Sequence, residues 1–153
     1  MRRKDKEIID REIIEDILRS NFICRIALAD NNLPYVIPMD YGFYENKIYL
    51  HTAGVGKKID YIKKNNHVCF EITDSIKLIK KKVACRFDVS FRSVIGYGKI
   101  FIVNNRQEKI DGLKIIMHQH TGRWDWDFDE KDLSRVTILR VDIETLSAKQ
   151  AHI

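Results

Sequence analysis

Cysteine is scarce and unpaired in this chain: Cys24, Cys69 and Cys85 are the three among 153 residues. An odd number without paired spacing argues against a disulfide framework, and equally against a structural zinc site, which wants closely spaced pairs. Cys24 and Cys69 fall inside apolar strands and read as small core residues. Long apolar runs are missing too; none approaches the roughly 20 residues that a membrane-spanning helix needs. The opening Met-Arg-Arg-Lys-Asp-Lys-Glu lacks the apolar stretch of a signal peptide. A cytoplasmic protein with no membrane partner is expected. The glycine spacings of a dinucleotide fingerprint and of a Walker loop are absent. There is no Gly-x-Ser-x-Gly motif and no evident serine or cysteine nucleophile beside a base, so hydrolase chemistry has little support. No repeat, linker or low-complexity segment interrupts the chain, and residues 1–153 read as one domain.

What is present suits a folded, soluble domain with a real core: 44% hydrophobic and 32% charged residues. The net charge of +5 is concentrated in Arg2-Arg3-Lys4 and in Lys77, Lys80, Lys81 and Lys82. Such runs are usually solvated, and they can also attract a phosphorylated cofactor or an acidic partner. Nucleic acid is disfavoured, because Asp125, Asp127 and Asp129 are interleaved with Trp124, Trp126 and Phe128 and would repel phosphates. Those aromatics rank first as an interface, second as core cover and third as a contact for a flat ring. The same carboxylates lack the glycine and terminal glutamate of a calcium loop.

Asp10 is an N-cap for a helix over 10–19 with Ile13, Ile14, Ile17 and Leu18 on one stripe. The period then changes to two. Cys24, Ile26 and Leu28 share one face of a strand over 22–29, and Tyr35, Ile37, Met39, Tyr41 and Phe43 share one face of the next, over 35–44. Asp30 to Pro34 is a turn, and Glu45-Asn46 closes a hairpin into a strand over 47–52. A short helix follows over 56–64, then a strand over 67–73. Residues 74–91 carry no clear period, and a continuation of the strand broken by the lysines is left open. A long strand over 92–103 bears Gly96 and Gly98 on one face, a bare surface suited to a bend or to close approach by a ligand or another backbone. A helix over 105–118 and a final strand over 135–143 complete the order. Six strands with hairpin links in one small domain favour an antiparallel barrel with flanking helices, because closure removes the edges.

The stretch from Lys47 to Lys58 carries the chemistry. A strand runs through His51, Thr52 and Ala53 into a small-residue turn, and a helix opens with Lys57 and Lys58. Unpaired N–H groups at a helix start favour anions, glycine allows close approach, and the lysines add charge, so the corner suits a phosphate. An ordinary strand-to-helix connection is the plain alternative. His51 is either a proton carrier beside a ligand or a strand-end histidine. His118 and His120 lie two apart on a helix and point to different sides, so no metal is expected; they read as helix-end histidines facing the dipole.

Several segments together resemble the pyridoxamine 5′-phosphate oxidase-like flavoproteins, and within them the nitroimidazole-resistance branch. They are Tyr35-Val-Ile-Pro38-Met39, Tyr49-Leu-His51-Thr52-Ala53, Gly56-Lys57-Lys58, Asn65-Asn66-His67-Val68-Cys69-Phe70 and Arg92-Ser93-Val94-Ile95-Gly96-Tyr97-Gly98. The resemblance implies a mainly β, six-stranded split barrel that works as a homodimer with FMN in the groove between subunits. It implies that Pro38 and Met39 offer backbone to the flavin ring. His51, Thr52 and Ala53 would line the path to the ribityl chain, Lys57 and Lys58 hold the phosphate, and Ser93 and Ile95 add contacts. It places His51 near the reactive edge and makes the partner a small electron acceptor such as a nitroaromatic. A flat anionic cofactor wants a cationic phosphate site beside an apolar slot, which the lysines and a glycine-thinned wall would supply. The arginine and tryptophan that grip pyridoxine phosphate in the oxidase have no clear match, so vitamin B6 oxidation is not expected. A flavin- or haem-binding sensor or carrier on the same fold is the alternative.

Overall fold

Two asparagines and a Glu-Asn pair set the barrel's first corners in a computed structural model that describes residues 3–153. Met1 and Arg2, the latter part of the basic N-terminal cluster, lie outside the described residues. Asn31 and Asn32 adopt φ 46° and 65°, and Glu45 and Asn46 adopt φ 45° and 62°. Paired left-handed residues make the two-residue turns whose twist matches antiparallel strands. They join β2 (Ile23–Asp30) to β3 (Leu33–Tyr44) and β3 to β4 (Lys47–Thr52). A two-residue β1 (Glu7–Ile8) precedes them. After β4 come β5 (His67–Ile79), β6 (Asp88–Ile102) and β7 (Thr137–Ala151).

Every pairing is antiparallel, and the order β7-β4-β3-β2-β5-β6 closes because β6 pairs back onto β7. The expected six-stranded barrel is therefore formed, with β1 added on the far half of β7. Its interior is the face the alternation predicts: Cys24, Ile26, Leu28, Met39, Tyr41, Phe43, Phe70 and Ile72 are buried in one cluster. Burial pushes the Cys24 thiol up to about 12, as expected of an inert core residue.

Helix α1 (Arg11–Ser20) is capped by Asp10, which accepts from the Glu12 N–H at 2.9 Å, and it adds Ile14, Ile17 and Leu18 to that core. The buried Tyr41 hydroxyl donates to the Leu18 carbonyl at 2.7 Å. Helix α2 (Lys57–Lys64) buries Ile59 and Ile62. Helix α3 (Arg106–Thr121) lies outside β3 and β4 and closes a second cluster with Tyr49, Val103 and Ile138. It comes so close that a Cβ on Gly42 would stand 2.7 Å from the Ile115 backbone. Gln119 fastens its end: the side-chain oxygen accepts from the Phe43 N–H at 2.7 Å, and the amide donates to the Leu18 carbonyl at 3.1 Å. Helix α4 (Glu130–Arg135) is short and buries Leu133.

Three features differ from the sequence reading. The β5–β6 hairpin continues through most of the segment without clear period, past a bulge between Asp74 and Lys77. It stands clear of the core, so Ile76, Leu78, Phe87 and Val89 are exposed and no burial pattern marks it. Strand β7 runs on from Ile143 to Ala151, because its far half pairs with β6 and β1 while its side chains face mostly outward. Gly96 and Gly98 face inward rather than lining a ligand slot. A Cβ at Gly96 would meet the Phe70 ring at 2.2 Å, and one at Gly98 the Asp142 carbonyl at 2.1 Å. The glycine-thinned wall is filled by the protein itself.

Candidate functional site

Strands β3 and β4 part company at one point. They pair from Tyr44–Lys47 to Tyr41–Leu50 and no further, while β4 continues alongside β7 to Thr52. Tyr41 turns its N–H to Phe22 on the β2 side at 3.2 Å. Backbone groups alternate along a strand, so Asp40, Pro38 and Val36 turn theirs toward the opening that β4 leaves. Proline, which has no N–H to offer, stands here on a free edge where none is required.

The fork is bridged by side chains. His51 Nε2 lies 2.8 Å from Asp40 Oδ2, with both groups partly exposed. Beyond His51, Thr52 pairs with Thr137, Ala53 is exposed, and the chain turns through Gly56 at φ 116° into α2. Gly56 caps the helix without a side chain, and its carbonyl takes the N–H groups of Ile59 and Asp60. The N–H groups of Lys57 and Lys58 are left at the helix start. The Lys57 ammonium sits 4.6 Å from the Tyr35 ring centre and 5.7 Å from that of Tyr61. The opening is thus bounded by the β3 edge from Tyr35 to Asp40. Asp40 and His51 stand at its apex, and the Lys57 ammonium lies over the ring of Tyr35, whose backbone is about 17 Å from that of Asp40 at ordinary strand rise.

Of the residues singled out in the sequence, Pro38, His51, Thr52, Ala53, Lys57 and Lys58 gather around this opening. Met39 does not offer the edge its backbone: its side chain is core and its backbone groups turn toward β2; Asp40 holds the place instead. Ser93 and Ile95 lie on β6 at positions of the same parity, on the outer face of the sheet, where Ile95 is exposed and Ser93 is buried. Register carries an unbroken row across that face: Pro38, Arg25, Glu71, Ile95 and Ser147. Arg25 and Glu71 form an ion pair within it at 3.1 Å. Three strand spacings, about 14 Å, separate Pro38 from Ile95. The neighbouring row, Val36, Ala27, Cys69 and Tyr97, is apolar, with Val36 and Tyr97 more than half exposed.

Among the described residues no group of three His, Cys, Asp or Glu side chains could hold a metal. His118 stacks on Trp124, and His120 meets Phe22 edge-on. No helix of the described residues is long and apolar enough to cross a membrane. Sequence reasoning missed Asp40 and Tyr35 as site residues. The turn at Glu45-Asn46 fixes register, so Asp40 opposite His51 follows from counting back along β3.

A family model for pyridoxamine 5′-phosphate oxidase matches residues 10–150. The chain belongs to the pyridoxamine 5′-phosphate oxidase family. Solved structures agree. A protein of Bacteroides thetaiotaomicron named for 5-nitroimidazole antibiotic resistance superposes with a TM-score of 0.84 at 27% identity, covering 94% of this chain and 86% of that one. The FAD and haem binding protein of Mycobacterium smegmatis gives 0.87 at 15% identity, covering 97% and 74%. A flavocytochrome of Azotobacter vinelandii gives 0.85 at 18%, covering 100% and 72%. At such identities the last two show the split-barrel fold alone. An uncharacterized protein of Rhizobium meliloti is 25% identical over 67 residues, a match that spans 44% of this chain and 44% of that relative's length.

Proposed function

We propose that this chain binds FMN along the opening between β3 and β4, at the seam of a homodimer, and passes electrons from the reduced cofactor to a small acceptor such as a nitroaromatic. The observation that carries the reading is the opening itself: a free strand edge with a hydrogen-bonded His–Asp pair at one end and a lysine-led helix start at the other. The name of the Bacteroides relative supports the reaction, and the FAD in the name of the Mycobacterium neighbour supports a flavin.

The bound flavin would supply the two-electron chemistry. Lys57, Lys58 and the α2 N–H groups would hold its phosphate. Asp40, Pro38 and Val36 would meet the ring edge with backbone groups. Asp40 would hold the His51 imidazole so that it can orient the acceptor or give it a proton. A shared seam would reconcile these placements, since Ser93 and Ile95 lie too far from Pro38 to touch the same ring from one chain. A second copy related by a twofold axis on the outer face would bring its own pair across.

The visible spectrum of freshly purified protein, with the mass of the pigment that heat releases, tests the cofactor. A flavin spectrum and the mass of FMN are expected, and failure to bind added micromolar FMN would sink the proposal. Steady-state reduction of a nitroimidazole tests the reaction. Bound pigment without turnover would mark a carrier or sensor instead.

A further inference from the structure

A cavity of about 440 Å³ lies away from the fork, at the closed end of the β3–β4 hairpin beneath α3. Nothing in the flavin reading uses it. Three aromatic rings wall it: Tyr44 and Tyr49 from the hairpin and Trp124 from the loop after α3. The rings are held in place. Tyr44 and Trp124 meet edge to face with centres 5.9 Å apart. His118 stacks on one face of the Trp124 indole, 4.0 Å away and 16° from parallel. A Cβ on Gly112 would stand 2.9 Å from the Tyr49 ring, so α3 presses directly on it.

Two carboxylates, Glu45 and Asp111, complete the wall against one ammonium, Lys114. On a chain of net charge +5 this is a locally acidic place. Burial first, and then the charges of Glu108, Asp142 and Asp111 against that of Arg140, push the Tyr49 hydroxyl's pKa above the ordinary phenol value, so the ring stays a neutral phenol. Glu45 occupies a left-handed turn position that asparagine, aspartate or glycine usually fills, and it lines the cavity from there. Aromatic faces and carboxylates together attract an organic cation whose positive charge is spread over methyl groups. Neutral apolar ligands would use the rings and leave the carboxylates unsatisfied; anions would be repelled.

We infer that this cavity binds a small organic ammonium ion of the quaternary or methylated type, with Trp124, Tyr44 and Tyr49 around the cation and Glu45 and Asp111 supplying the counter-charge. The inference stands apart from the flavin, and its test uses the protein as purified, with or without pigment. Choline is titrated while the ring resonances of the two tyrosines and Trp124 are followed by NMR. Its neutral isostere, with a quaternary carbon in place of nitrogen, and phosphocholine are titrated in parallel.

Saturable shifts at roughly millimolar choline are expected. The isostere should bind at least tenfold more weakly, and phosphocholine more weakly than choline. Trp124 is partly exposed on a loop, so Trp124→Ala should keep the fold, checked by its melting curve, and lose at least tenfold in choline affinity. Glu45→Gln should lose severalfold. Absence of saturable shifts, equal binding of the isostere, or unchanged affinity in both variants would overturn the assignment. Tighter phosphocholine binding would also overturn it in favour of a lipid headgroup or another phosphorylated amine.

Discussion

His51 Nε2 lies 2.8 Å from Asp40 Oδ2, across the point where β3 and β4 cease to pair. A carboxylate only accepts hydrogen bonds when ionised, so it fixes the imidazole proton on Nε2 and leaves Nδ1 to face other partners. Both side chains are partly exposed, so the pair contributes little to stability. Asp40→Ala should therefore melt within about 1 kcal/mol of the parent while letting the two neutral tautomers mix. Nitrogen NMR of the imidazole reads that mixture directly. An unchanged Nε2–H population in the variant would show that Asp40 does not orient the ring. In flavin-loaded protein the same change should lower acceptor reduction by about tenfold, less than the roughly hundredfold at which direct acid–base contributions begin, because Asp40 only positions the imidazole.

A second ionic centre works on stability instead. Arg92 on β6 donates to Asp74 on β5 at 2.9 and 2.8 Å and to Asp16 on α1 at 2.8 Å, which ties the helix to the barrel. Burial alone would raise the Asp74 carboxyl, but hydrogen bonds from Arg92, Asn21 and Ser75 outweigh it and hold its pKa below the ordinary value. A depressed folded pKa contributes stability above the unfolded value, near about 4, and loses it as pH falls through the folded value. Asp74→Asn should cost about 2 kcal/mol at neutral pH, since a partly buried guanidinium loses its charged partner. The gap between parent and variant should narrow below about pH 4. Denaturant melts across that range measure it, and a gap independent of pH would refute the assignment.

Gly42 is the pivot of α3. A Cβ there would collide with the Ile115 carbonyl carbon at 2.7 Å and with the Ile116 nitrogen at 2.7 Å, and both belong to helix backbone that cannot swing aside. Gly42→Ala should destabilise the fold by about 3 kcal/mol, at the upper end of overpacking costs. Gly122→Ala is the contrast. Its site has open space around it but φ 73°, so only the conformational penalty of about 1 kcal/mol applies. Paired melts that ranked the two the other way would contradict the packing of α3 described above.

The barrel was legible wherever burial alternates. Cys24, Ile26 and Leu28, or Val68, Phe70 and Ile72, announce an inner face because water is excluded from one side only. The β5–β6 hairpin and the far half of β7 were not legible, since Leu78 and Glu144 both face solvent and the chain gains nothing there by alternating. Site residues on one strand or turn, such as His51 and Lys57, could be named from sequence. Their partners were harder: Asp40 needs the register of a hairpin, and Tyr35 needs the path of a lysine side chain. Pro38 and Met39 are adjacent in the chain, yet their backbone groups turn to opposite neighbours, a difference of a single residue that register alone reveals. Gly96 and Gly98 signalled close approach correctly, but sequence does not say whether a ligand or the protein's own Phe70 makes it.

Lys57 and Lys58 give the proposed cofactor site its charge. Two ammonium groups beside unpaired helix N–H groups should favour a doubly charged phosphate over a neutral tail. The Lys57→Ala, Lys58→Ala double variant should bind FMN at least tenfold more weakly than the parent. It should bind riboflavin, which lacks the phosphate, about equally. The preference of the parent for FMN should also shrink as salt is raised, because exposed charges are screened. Fluorescence titrations with both flavins measure this, and equal losses for the two would place the phosphate elsewhere.

Ile95 tests the shared seam. It is exposed on the outer face of β6, between Glu71 on β5 and Ser147 on β7, and its row leads to Pro38 across the Arg25–Glu71 pair. In an isolated chain Ile95→Glu touches only solvent and a neighbouring carboxylate, so its melt should shift by no more than about 1 kcal/mol. In a twofold dimer built on this face the new carboxylate is desolvated against the partner's surface beside Pro38 and the ring held there. Sedimentation equilibrium should then show a dimer for the parent and a monomer for the variant, and FMN affinity should fall together with the dimer. A parent that sediments as a monomer with FMN bound would remove Ser93 and Ile95 from the site and leave the opening between β3 and β4 to hold the flavin alone.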